Sequence, residues 1–199
     1  MTGFLSGFVL GLSLILVIGA QNAFILKQGL RQQHVFILCL ICVLSDAVLI
    51  VIGVFGFSLT INVLPGVESI ARYVGAIFLL AYGARSFYFA FNSNDVLKEN
   101  KVSKTSLAPA VLACLALTWL NPHVYLDTLF LLGAVSTQYP DEQYQFALGA
   151  TIASFVFFFS LGYGARLLAP IFNKPRAWKV LEFVIGCIML FIAISLVFL

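Results

Sequence analysis

Nearly all of this 199-residue chain is taken up by apolar runs of about 20 residues or more, the length an α-helix needs to cross a ~30 Å hydrocarbon core. Hydrophobic residues make up 62% of the sequence and charged residues only 10%, and a soluble domain of this size has too little interior to hide that much apolar surface. The pattern predicts an all-α integral membrane protein, one transmembrane domain over residues 1–199. The expected spans are Phe4 to Leu26, Val35 to Leu64, Ile70 to Phe91, Leu107 to Ser136, Phe146 to Ala169 and Val180 to Leu199. Breakers or charges fill the joints, at Lys27 to His34, Pro65-Gly66, Asn92 to Ser106, Thr137 to Gln145 and Pro170 to Lys179. No joint is long enough to fold by itself. A functional site is therefore expected within the membrane, which excludes most soluble enzymes and nucleic-acid-binding modules.

Basic loops stay cytoplasmic, so lysine and arginine placement sets orientation. Lys27 and Arg31 follow the first run, Arg85, Lys98, Lys101 and Lys104 surround the joint after the third, and Arg166, Lys174, Arg176 and Lys179 surround the joint after the fifth. These share one side. Arg72 alone falls at the opposite surface, with Glu68, Asp141 and Glu142. Both termini are expected outside the cytoplasm, with span one either crossing fully or lying partly in the interface. Met1-Thr2-Gly3 carries no basic stretch of the kind that opens a cleaved signal peptide. The loops account for the net charge of +3, which gives no reason to expect a nucleic-acid partner. Cys39, Cys42, Cys114 and Cys187 all fall within runs, where they are expected to pack as small apolar residues; the Cys39/Cys42 C-x-x-C lies inside a helix.

Three runs, a charged joint and three more runs suggest a duplication. An odd number of spans per half makes the halves inverted, with repeat one over 1–91, a cytoplasmic joint over 92–106 and repeat two over 107–199. The best internal trace sets Gln21-Asn22-Ala23-Phe24-Ile25-Leu26 in span one against Leu120-Asn121-Pro122-His123-Val124-Tyr125 in span four. Span four would run ~45 Å as one helix, so it is expected to break at Asn121-Pro122. Pro122 lacks an N–H and leaves the Thr118 carbonyl without its helical partner, free to face a cation or water. Gly19-Ala20-Gln21-Asn22 can open a matching gap in span one, where the two amides replace lost helical bonds.

Two carboxylates stand inside the runs. A charge at mid-bilayer costs at least ~2.5 kcal/mol, so Asp46 and Asp127 are the first candidates for function. If the break at Pro122 brings them to one cavity they can bind a cation, exchange it for protons, or hold a guanidinium through two parallel hydrogen bonds. The candidate substrate-binding or proton-coupling set is Asp46, Asp127, Gln21, Asn22, Asn121 and Pro122. Arg85 either snorkels or pairs with an aspartate, His123 either shuttles protons or is merely hydrogen-bonded, and Trp119 and Tyr125 can offer a ring face to a cation. Arg166 and Glu182 are read as helix-end charges. Gly3, Gly7 and Gly11, spaced by four, permit a close helix contact, either internal or in a homodimer.

The run Gly19-Ala20-Gln21-Asn22-Ala23-Phe24-Ile25-Leu26-Lys27-Gln28-Gly29, Asp46, and Trp119-Leu120-Asn121-Pro122-His123-Val124-Tyr125-Leu126-Asp127-Thr128 together resemble the LysE family of bacterial amino-acid exporters. A sister branch exporting neutral amino acids has Pro-Gly-Pro-Asn where this chain has Gly-Ala-Gln-Asn. The resemblance implies a secondary exporter of L-arginine, with lysine or canavanine as further substrates, in a bacterial inner membrane. It implies roles for the Gly-Ala-Gln-Asn segment, the Asn-Pro segment and the two aspartates. The resulting expectation is proton exchange and alternating access, with a basic amino acid, protons and the bilayer as partners and no cofactor or metal. Rival readings are an exporter of another cation or of a neutral amino acid, and an intramembrane thiol–disulfide relay. A divalent metal would want a tighter oxygen cluster, and no further acid is expected deep in a span.

Overall fold

The computed structural model describes residues 1–16, 19–56, 73–92, 106–168, 170–172, 176–195 and 197. Among them the chain is helical, with no strand. In order, the helices are α1 (Thr2–Ile15), α2 (Ala20–Arg31), α3 (Val35–Asn92), α4 (Leu107–Trp119), α5 (Pro122–Tyr125), a π-helix (Leu126–Leu132), α6 (Gly133–Ser136), α7 (Gln143–Gly164) and α8 (Pro175–Phe198), with short 3₁₀ turns between α7 and α8. Four stretches are each long and apolar enough to cross a membrane: Val35–Gly56, Tyr73–Asn92, Gln143–Leu168 and Arg176–Ser195. Two bent pairs, α1 with α2 at 81° and α4 with Pro122–Ser136 at 57°, bring the number up to six where each pair counts as one span. This is a multi-pass membrane protein. Large apolar side chains such as Ile77, Leu112 and Val180 point outward, as a hydrocarbon solvent allows. The expected joint at Pro65-Gly66 and most of that at Asn92 to Ser106 lie outside the described residues.

Both expected breaks are present, for identifiable reasons. Gly19 is the extended N-cap of α2, and the Asn22 side-chain amide donates to the Ile15 carbonyl at 2.8 Å, replacing a helical bond across the gap. At the second break Asn121 caps α5, its side-chain oxygen accepting from the His123 N–H at 3.1 Å, and Pro122 takes the first helical position, where its missing N–H costs nothing. The Thr118 carbonyl differs from expectation: the Asn121 N–H turns back to it at 3.4 Å. The neighbouring Trp119 carbonyl accepts from the Tyr125 hydroxyl. The proline break is thus closed by local turns rather than left open to an ion.

The glycine stripe makes an internal contact. Gly3, Gly7 and Gly11 lie on Glu142, Phe146 and Ala150 of α7, and Gly149 lies on Phe4. Contact partners rise together along both helices, so α1 and α7 run parallel. Farther on, Gly29 of α2 meets Gly162 and Ala165, so α1 and α2 both lie along α7 and the turn that follows it. The Gly3 N–H, the N-terminal ammonium and the Thr2 hydroxyl all donate to Glu142, holding its carboxyl below the usual carboxylate range. Acidic Asp141 and Glu142 therefore stand at one end of the bundle, while Lys27, Arg31 and Arg166 gather at the other.

The cysteines Cys39, Cys42 and Cys114 are buried as free thiols in the main apolar core. Cys42 touches Cys114 of α4, with sulfurs 3.4 Å apart.

Candidate functional site

The two breaks open onto one cavity of about 650 Å³. Gly19, Gln21 and Asn22 line it from the first break and Asn121 and His123 from the second. Asp46 reaches it from the middle of the Val35–Gly56 span, and Asp127 and Thr128 from the π-helix. Residues 187–192 of α8 supply an apolar wall through Cys187, Ile188, Phe191 and Ile192.

Each carboxylate is positioned differently. Asp46 is 6% exposed and accepts a 2.6 Å hydrogen bond from the Ser154 hydroxyl of α7, which fixes its rotamer. Asp127 is half-buried, four residues after His123. It stands on a π-helix, where an i→i+5 ladder widens the turn and changes the direction of its side chains. Thr128 returns its hydroxyl to the Val124 carbonyl at 2.6 Å, filling part of that ladder. Gln21 is buried at the edge of the cavity.

Helix direction supplies the complementary charge. The N-termini of α2 and of the Pro122–Ser136 segment both begin at the cavity edge, and a helix N-terminus carries partial positive charge. One space thus offers two positive helix ends and two acids. That combination suits a zwitterion with an additional cationic group: carboxylate toward the helix ends, cation toward the aspartates.

Other sequence candidates lie outside this space. Pro122 is buried at the start of α5. Trp119 donates its indole N–H to the Ser45 hydroxyl at 3.2 Å, and Tyr125 is tied to the Trp119 carbonyl, so both brace the break from outside the cavity. Arg85 is exposed, with its guanidinium 5.6 Å from the Phe89 ring centroid.

Two features escape the sequence reading. The π-helix has no local signature beyond its position after Asn-Pro. Glu182, read above as a helix-end charge, instead lies in the Arg176–Ser195 span at 3% exposure, and Lys27, placed in a joint, lies in α2 at 7% exposure. Their charged atoms meet at 2.6 Å. A third acid therefore does lie within a span, and its neutralising partner comes from the last turns of a broken helix that the apolar pattern ended too early. Among the described residues no three His, Cys, Asp or Glu side chains converge as a metal site.

A family profile described as LysE type translocator matches residues 12–199. The chain is 42% identical to "Arginine exporter protein ArgO" of Pectobacterium carotovorum, over 97% of this chain and 95% of that protein. It is 41% identical to the protein of the same name in Escherichia coli K12, over 97% and 92%, and 39% identical to that of Klebsiella pneumoniae strain 342, over 98% and 93%. No solved structure matches. With a matched profile covering most of its length and relatives this similar along nearly all of it, the chain is a transporter rather than an enzyme and belongs to the LysE type translocator family.

Proposed function

We propose that this protein exports L-arginine from the bacterial cytoplasm in exchange for protons. The observation that carries the reading is the pairing of relatives named arginine exporters with a cavity that holds Asp46 and Asp127 between two helix N-termini. The guanidinium lies against the aspartates through paired hydrogen bonds, and the α-carboxylate takes the N–H groups at the start of α2. Gln21, Asn22 and Asn121 complete the polar lining. The basic end of the bundle faces the cytoplasm and the end bearing Glu142 faces the periplasm, with both termini on that side. Spans 1–91 and 107–199 act as inverted halves that rock about the cavity.

The coupling has an energetic reason. Moving one positive charge out against an inside-negative potential costs about 2.3 kcal/mol per 100 mV, and exchanging it for a proton removes that term. Carboxylates that hold the guanidinium when ionised and protons when it has left perform this exchange at one site.

Counterflow in proteoliposomes tests the cargo. Vesicles loaded with unlabelled arginine are expected to accumulate labelled arginine from outside. Citrulline, nearly isosteric but neutral, is expected to compete poorly because it leaves a carboxylate unpaired, and lysine is expected to compete less well than arginine because its ammonium cannot pair bidentately. Citrulline competing as well as arginine contradicts a cation-selective site.

A further inference from the structure

Below the cavity, toward the basic end, lies a second polar cluster. Lys27 Nζ is 2.6 Å from one Glu182 carboxylate oxygen and 2.9 Å from the other, and an Arg31 guanidinium nitrogen stands 3.9 Å from the first. Lys27 and Glu182 are both nearly inaccessible, at 7% and 3% exposure. The Tyr82 ring centroid is 5.8 Å from Lys27 Nζ, and Arg31 lies over Trp178, one turn before Glu182. Two buried polar atoms in this layer, Gln28 Oε1 and Trp178 Nε1, have no hydrogen-bond partner.

The cluster sits on the route out of the cavity. Gln21 and Lys27 are six residues apart on α2, about 9 Å, and Cys187 and Glu182 are five apart on α8, about 7.5 Å. Since Gln21 and Cys187 line the cavity, the ion pair closes the space between α2 and α8 about one and a half turns beyond its floor. It also joins α2 to α8, two helices whose apolar faces contribute to one core. Gly29 fixes α2 to α7 at Gly162 and Ala165, whereas Gly83 and Gly186 fix the Tyr73–Asn92 stretch to α8 through Met189 and Phe87. Besides this pair, α2 and α8 meet through Arg31 over Trp178 and the apolar cluster of Leu30, Ala165 and Trp178, and Phe24 of α2 meets the Tyr82 ring edge-on.

On the proposal that the cargo is a cationic amino acid, we infer that Glu182 is its first docking point from the basic end, and that between turnovers Lys27 occupies this carboxylate as a tethered cation in the cargo's place. A buried ion pair gains little net energy, because desolvation of both charges offsets most of their attraction. Exchanging one cation for another at the same carboxylate avoids exposing an unpaired charge. Arrival of the cargo displaces Lys27, parts α2 from α8 and opens the path to Asp46. The Tyr82 ring gives the arriving cation a second partner.

Inside-out vesicles, which present the basic end to the medium under the proposed orientation, test this through the apparent KM for labelled arginine. Lys27→Gln removes the competitor and is expected to lower KM, while Glu182→Gln is expected to raise it by about tenfold or more, the worth of a charge-assisted hydrogen bond. The double variant Lys27→Gln/Glu182→Gln replaces the ion pair by a neutral hydrogen-bonding pair and carries no unpaired buried charge, so it reports even where Glu182→Gln alone fails to insert. It is expected to keep the raised KM. A wild-type KM in the double variant, or a KM unchanged or raised by Lys27→Gln, overturns the inference and leaves a structural clasp. Wild-type vesicles that take up citrulline as well as arginine overturn the cargo reading instead.

Discussion

Asp46→Asn and Asp127→Asn are each expected to abolish arginine export, at least a hundredfold below wild type, with the protein inserted at normal abundance. The size follows from the double role of each carboxylate: an amide neither pairs with a guanidinium as an ion nor carries a proton, so binding and coupling fail together. Insertion is expected to survive because the change is nearly isosteric and removes a charge from the membrane interior. At Asp46 the asparagine side-chain oxygen still accepts the 2.6 Å hydrogen bond from Ser154. The measurement is efflux of labelled arginine, normalised to membrane abundance. Wild-type efflux in both variants contradicts the assignment of the two acids to the transport site.

Gly7→Val is expected to have the largest effect on stability. A Cβ at Gly7 would stand 2.1 Å from the Phe146 carbonyl oxygen and 2.8 Å from its carbon, both backbone atoms of α7 that no rotamer change can move. Helix α1 must then lift off α7, losing the contacts at Gly3, Gly11 and Gly149, for a cost of about 3 kcal/mol or more. Gly11, Leu14 and Ile15 line the cavity, so its wall shifts with the helix and export falls too. Gly164→Ala is the control, since its Cβ meets nothing within 4 Å. The reading is the monodisperse fraction remaining after heating in detergent, expected to fall sharply for Gly7→Val and little for Gly164→Ala. Equal retention by the two variants contradicts a close α1–α7 contact.

The helical membrane character and the two breaks were legible because both come from strong local rules. Twenty apolar residues have few alternatives to a span, and Asn-Pro or Gly-Ala-Gln-Asn inside such a run has few alternatives to a break. Gln21, Asn22, Asp46, Asn121, His123 and Asp127 line one cavity, whereas the sequence offered a meeting of the two aspartates only on the condition that the break at Pro122 shift the half-helix that follows it. Pairwise partners were not legible. Whether Gly3, Gly7 and Gly11 face α7 or another copy, or whether Glu182 meets solvent or Lys27, depends on tertiary neighbours more than 100 residues away in the chain. The apolar pattern also ended span one at Leu26. The helix continues to Arg31, because Lys27 is neutralised by Glu182 and Gln32 and His34 take positive φ only after that.

Uptake of labelled arginine by inside-out vesicles under an imposed pH gradient tests proton-coupled export most directly. The lumen corresponds to the periplasm, so an acid lumen is expected to drive arginine inward as protons leave, and collapsing the gradient to stop the accumulation. Accumulation of arginine to the same level with the lumen acid or at the pH of the medium contradicts the account.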